Sequence, residues 1–246
     1  MKTALKLILL IGIVGYLVYA VVRFSQQTEE IVCEGVDIEV SDTLMGFITK
    51  DDVYAILAQH KVHAQGRKIS EINLTEIEQL IEANPYISEA HTYCTGQGVL
   101  RIRVVPQHPV LHVMPQNAES YYLDESGAIM PVGAINADLC VATGKISQKF
   151  AKEKLLPLAQ HIYADPFWGK LAEQIHVVDE NNIEICPRVG QHVIQLGNIT
   201  DFREKLERVR LFYKEGLSKV GWNKYKAISV AFDGQVVCIK KESKIK

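Results

Sequence analysis

Between Leu7 and Val22 the chain carries no charged side chain, and no other stretch so narrows what it can fold into. Extended to Leu5 and Phe24, the run makes about 30 Å of helix at roughly 1.5 Å per residue, enough to cross a bilayer. Lys6 and Arg23 stand at its two ends, where long stems reach the interface, and Tyr16, Tyr19 and Phe24 suit the outer boundary. Lys2, Lys6 and the terminal amine precede the run, whereas Glu29 and Glu30 follow it. The positive-inside bias then predicts residues 1–24 as a short cytoplasmic tail and a single transmembrane helix. Residues 25–30 read as a linker, with everything beyond on the far side of the membrane. A cleaved signal peptide is the alternative, with Val18-Tyr19-Ala20 as its small-residue site. The apolar run continues past that site through Val21 and Val22, which favours a retained anchor.

The body opens on a strand signal, Ile31 to Val40, with partial alternation and β-branched residues. Thr49 then reads as a helix N-cap with Asp51 and Asp52 in the first turn, Ile48 placed to staple Val53, and Val53, Ile56 and Leu57 on one face. A second helix starts at Asn73, with Glu76 three residues on and Leu74, Ile77, Leu80 and Ile81 on one side; Pro85 ends it. Two strands follow, Ile87 to Cys94 and Val99 to Val105, joined by the turn residues Thr95-Gly96-Gln97-Gly98. In the second of them Leu100, Ile102 and Val104 point one way and Arg101 and Arg103 the other. The pattern predicts a β-α-α-β-β unit over residues 31–113.

Residues 114–246 read as a β-rich domain with helices. Tyr121 to Met130 is strand, turn, strand, with Asp124 and Gly127 supplying the turn, so Asp124 is a turn residue and not a catalytic one. Ile175 to Val178, Ile183 to Ile185 and His192 to Leu196 form a meander. Thr200 is expected to cap a long helix whose Phe202, Leu206, Val209 and Tyr213 make a core-facing stripe. Last come Tyr225 to Phe232 and Gln235 to Ile239, joined by Asp233-Gly234, the strongest short hairpin signal. Little chain remains to cover the outer edge of the final strand, and such an edge templates another strand. Lys240, Lys241, Lys244 and Lys246 either blunt that edge or serve as docking charges. The fold class expected is α+β: a single N-terminal transmembrane helix, the β-α-α-β-β unit, then the mixed β-rich domain.

No reactive site emerges from the residues. With 27 basic and 29 acidic side chains the net charge is −2, so no field draws in nucleic acid. Cys33, Cys94, Cys140, Cys186 and Cys238 are odd in number and hold no C-x-x-C pair, fitting neither a disulfide framework nor a zinc site. There is no G-x-S-x-G, phosphate-binding loop, dinucleotide fingerprint or H-E-x-x-H. His60 and His63 lack a third ligand, and His108 and His112 are held apart by the extended chain that Pro106 and Pro109 impose. Asn73 and Asn198 match glycosylation sequons but read better as helix starts. The expectation is a non-enzymatic protein with no catalytic residue, cofactor, metal, small-molecule substrate or nucleic acid.

In its order of elements the first body unit resembles the POTRA module, with Asn84-Pro85-Tyr86-Ile87-Ser88-Glu89-Ala90 similar to that module's helix exit and Leu100-Arg101-Ile102-Arg103-Val104, followed by Pro106 and Pro109, similar to its closing strand. The whole chain resembles the FtsQ/DivIB family of cell-division proteins. Tyr122-Leu123-Asp124-Glu125-Ser126-Gly127, then Ile194-Gln195-Leu196-Gly197, Lys205-Leu206 and Leu211-Phe212-Tyr213, and finally Ala227 to Val237 match its second domain in order. The resemblance implies a divisome scaffold in the cell inner membrane, its body periplasmic and at the division septum, linking early and late division proteins. It implies that the C-terminal strands bind FtsB/FtsL (DivIC)-type partners, with other divisome components also in contact. The partner edge would then fall at Tyr225, Ile228, Ser229, Val230, Phe232, Gln235, Val236 and Val237. A POTRA-type chaperone or assembly factor for outer-membrane or exported proteins is the alternative, though repeated modules or barrel strands would be expected of it.

Overall fold

In the computed structural model, which describes residues 2–29, 31–41, 47–133 and 138–241, helix α1 runs Lys2–Glu29. The expected transmembrane helix is overturned, because among the described residues no helix is long and apolar enough to cross a membrane. The side chains described without a break in α1 are residues 9–23. Leu9, Ile11, Val14, Leu17 and Val21 along it stand exposed. The location derived from that span falls with it: the single-pass placement in an inner membrane, tail inside and body in the periplasm, is corrected on the same finding.

The chain divides into two compact units at Gln107/His108, α1 belonging to the first. In the first, strand β1 (Gly35–Val40) is followed by α2 (Lys50–Gln59), α3 (Leu74–Glu82), β2 (Ile87–Cys94) and β3 (Val99–Pro106). The sheet order is β1-β3-β2, with β1 parallel to β3 and β2 antiparallel to it. A parallel pair needs a long crossover, and the two helices provide it. Both helices begin where capping chemistry dictates. Thr49 and Asp52 form a reciprocal capping box, and the Asn73 side chain accepts the Glu76 N–H. Ile38, Val53, Ile77, Ile81, Leu100, Ile102 and Val104 close the core between helices and sheet. On the opposite face Asp37 meets Arg101 at 3.5 Å and Glu39 meets Arg103 at 3.3 Å, both half-exposed and so worth little.

The second unit is one nine-stranded mixed sheet. Its strands are β4 (Pro109–Pro115), β5 (Tyr121–Asp124), β6 (Ile129–Pro131), β7 (Val141–Gly144), β8 (Ala172–Asp179), β9 (Asn182–Pro187), β10 (Val193–Gly197), β11 (Tyr225–Ser229) and β12 (Val237–Lys240). They lie in the order β12-β11-β10-β9-β8-β7-β4-β5-β6. Between β7 and β8 runs α4 (Gln148–Phe150), which passes through a π-helical turn (Ala151–Leu155) into α5 (Leu156–Ala164) and then α6 (Trp168–Leu171). Between β10 and β11 runs α7 (Phe202–Phe212), a second π turn (Tyr213–Leu217) and α8 (Ser218–Val220). Helix α7 does not start on a Thr200 cap. Asn198 Oδ1 takes the Thr200 N–H, Asp201 swings to a left-handed φ of 52°, and the helix begins one residue later.

These helices form a single layer on one face of the sheet. Leu155, Leu158, Ile162, Trp168, Leu206, Val209 and Leu217 pack against Leu111, Ala142, Ile175, Ile185, Ile194 and Ile228, all buried in one cluster. Gly144 closes β7 at φ 106°, and a Cβ there would lie 2.1 Å from the Val177 carbonyl oxygen, so the β7–β8 approach requires glycine. Asp124 ends β5 as a turn residue: its Oδ1 accepts the Ala128 N–H at 2.6 Å and the Ser126 hydroxyl at 2.8 Å.

Candidate functional site

The two ends of the nine-stranded sheet are unlike. β6 is three residues long and finishes on Pro131, a poor template for another strand. β12 at the opposite end pairs on one side only, through Ser229 opposite Val237, Ile228 opposite Cys238 and Ala227 opposite Ile239. The Lys241 N–H donates inward to the Lys224 carbonyl at 3.2 Å. Alternation along β12 then turns the N–H and C=O groups of Cys238 and Lys240 outward. Among the described residues no side chain hydrogen-bonds to that backbone. On the sheet face away from the helices, Val237 and Ile239 are 41% and 39% exposed.

The hairpin into β12 is wider than Asp233-Gly234 predicts. β11 stops at Ser229, where the Val230 N–H makes the last ladder bond to the Gln195 carbonyl of β10 at 2.9 Å. Arg208 of α7 then donates to the Val230 carbonyl at 3.2 Å and to the Phe232 carbonyl at 3.4 Å, holding the chain off β12. Only Gly234 (φ 66°) has positive φ in the turn, so it is not the I′ type that a two-residue hairpin would demand. Between this loop and the end of α7 opens a groove of about 410 Å³ lined by Arg208, Leu211, Phe212, Glu215 and Val236.

The eight residues expected at a partner edge fall into two sets. Ile228 and Val230 are buried in the cluster beneath the helices, and Ser229 is buried on the other face of the strand. Tyr225 is half-buried, its ring 6.3 Å from that of Phe212. Phe232, Gln235 and Val237 are exposed and Val236 is half-buried over the groove, so these four gather at the start of the edge. The expected set omits Ile239 and Lys240, which alternation of exposed residues on the last strand could have supplied. Lys244 and Lys246 lie outside the described residues. Lys240 is exposed, and Lys241 reaches Gln191 Oε1 at 2.6 Å.

The site holds no reactive constellation among the described residues. Burial raises the Cys238 thiol pKa, which keeps it protonated and unreactive at neutral pH. Among the described residues no group of three or more His, Cys, Asp or Glu is placed to hold a metal. His112 lies against Tyr122 with the two rings tilted by 43° and their centroids 4.6 Å apart.

A helix-covered sheet ending on an open strand, preceded by a three-stranded unit with a helix pair on one face, defines a two-unit α+β protein. Residues 31–105 match the POTRA-like domain family. Residues 108–239, more than half of the chain, match the family described as FtsQ/DivIB, C-terminal related, and the chain belongs to the FtsQ/DivIB family. No curated protein sequence matches it.

Proposed function

We propose that this chain is a non-enzymatic scaffold of the bacterial division machinery that binds FtsB/FtsL (DivIC)-type proteins by adding one of their strands to β12. Family membership supports the division role. The observation that carries the binding mode is the outer edge of β12, four residues of strand whose outward backbone groups meet no side chain among the described residues. In strand addition the backbone supplies affinity and alternate side-chain pockets supply specificity. Here Val237 and Ile239 offer apolar contact on one face of an incoming strand. Val236 and Leu211 offer it on the other, at the groove. A partner segment read this way is apolar on both faces.

The test replaces Val237 and Ile239 together by Asp and measures binding of the purified FtsB/FtsL-type partner from the same source by calorimetry. Both side chains are substantially exposed, so the fold is expected to persist while affinity drops at least about tenfold, or about 1.4 kcal/mol. Unchanged affinity in the folded double variant removes β12 as the binding edge.

A further inference from the structure

The first unit also has edge strands, and one of them is occupied from within. The Thr95 N–H donates to Val99 of β3 at 2.9 Å, so alternation along β2 turns the N–H groups of Ala90 and Thr92 away from the sheet. Both are taken by α3. Glu82 Oε1 accepts the Ala90 N–H at 3.0 Å, and Glu78 Oε1 accepts the Thr92 N–H at 2.6 Å and the Thr92 hydroxyl at 3.2 Å. The spacing is a match of two periods: four residues of helix rise about 6.0 Å and two residues of strand about 6.8 Å. Two carboxylates one turn apart therefore follow two successive outward amides, with α3 antiparallel to β2.

We propose that Glu78 and Glu82 lock the β2 edge against strand addition, and that the strand they exclude is β2 of a second copy of this chain. Eight residues long, β2 is twice the length of β12 and is the more dangerous template for pairing. Antiparallel self-pairing centred on Ala90 sets Ala90 against itself as a hydrogen-bonded pair. It also lays Glu89 opposite His91 of the copy, two exposed residues that already approach to 3.4 Å within one strand. A carboxylate is a strong acceptor that itself cannot extend a ladder, so the lock satisfies the amides and ends the sheet. Strand addition is thereby left to the second unit.

The test is sedimentation of the full chain carrying Glu78→Ala and Glu82→Ala together. With rising concentration this variant is expected to shift toward twice the mass at which the wild type sediments. Glu78→Gln with Glu82→Gln, whose amide oxygens still accept, should behave as wild type. Adding Thr92→Pro to the alanine pair removes an outward N–H without touching the β3 ladder and should restore the wild-type mass. A folded alanine variant that sediments as wild type at every concentration overturns the proposal. If the pair does not fold, the single variants decide by amide hydrogen exchange. Glu82→Ala must speed exchange at Ala90 and Glu78→Ala at Thr92, each by about tenfold or more, and unchanged exchange at both overturns the lock.

Discussion

His192 has only 4% of its surface exposed, its Nε2 lies 2.5 Å from the Tyr213 hydroxyl, and its Nδ1 has no partner among the described residues. Trp222 stacks edge-on against Tyr213, and Gly190 lies so close that a Cβ there would come within 2.8 Å of the imidazole. Burial, and secondarily the charge of Lys241, lower the His192 pKa from its ordinary value. The folded protein thus resists a proton that the unfolded chain accepts near pH 6.5. Stability from this residue is complete above that pH and is lost as pH falls below it. The expected result is that His192→Gln flattens the decline in urea midpoint between pH 7 and pH 5, measured against wild type at each pH. The same burial raises the Tyr213 pKa, so the phenol stays protonated throughout that window.

At the scale of elements, the N-terminal cap of α2 carries the most direct prediction. Thr49 and Asp52 exchange bonds of 3.3 and 2.8 Å. Thr49→Ala should lower stability by about 1 kcal/mol in urea unfolding, with no change in the helix's tertiary contacts. Such caps made α2 and α3 readable from the residues, as Leu100-Arg101-Ile102-Arg103-Val104 did for β3. The helical layer over residues 148–171 was not readable, and the reason is the π turn at Ala151–Leu155. An extra residue in that turn shifts the phase between Phe150 and Leu158, so no single 3.6-residue period fits, and Pro157 looks like a break although it stands in the first turn of α5. At the C-terminal strands the pattern was legible but the order of strands was not. β11 alternates like an edge strand, yet α7 brings it in parallel beside β10, which buries Ile228, Ser229 and Val230 and leaves the outside to β12.

At the scale of the whole molecule each unit has its own apolar cluster, which predicts separable stability. Ile81 is fully buried in the first cluster. Ile81→Ala should cost that unit about 2–5 kcal/mol while leaving amide exchange in β8 to β10 of the second unit unchanged, as hydrogen exchange with mass spectrometry would reveal. Within the second unit, β7 pairs in parallel with both β4 and β8, partners far off in the chain on either side. Four residues long, it joins the two halves of the sheet, and β8 can reach its second flank only after the 148–171 helices have turned the chain around. A sheet completed through its middle assembles slowly, on the order of milliseconds to seconds. Until β8 arrives, β7 has a bare flank that the finished molecule never shows, so the hazard of misassembly during synthesis lies at the centre of the sheet and not only at its rim.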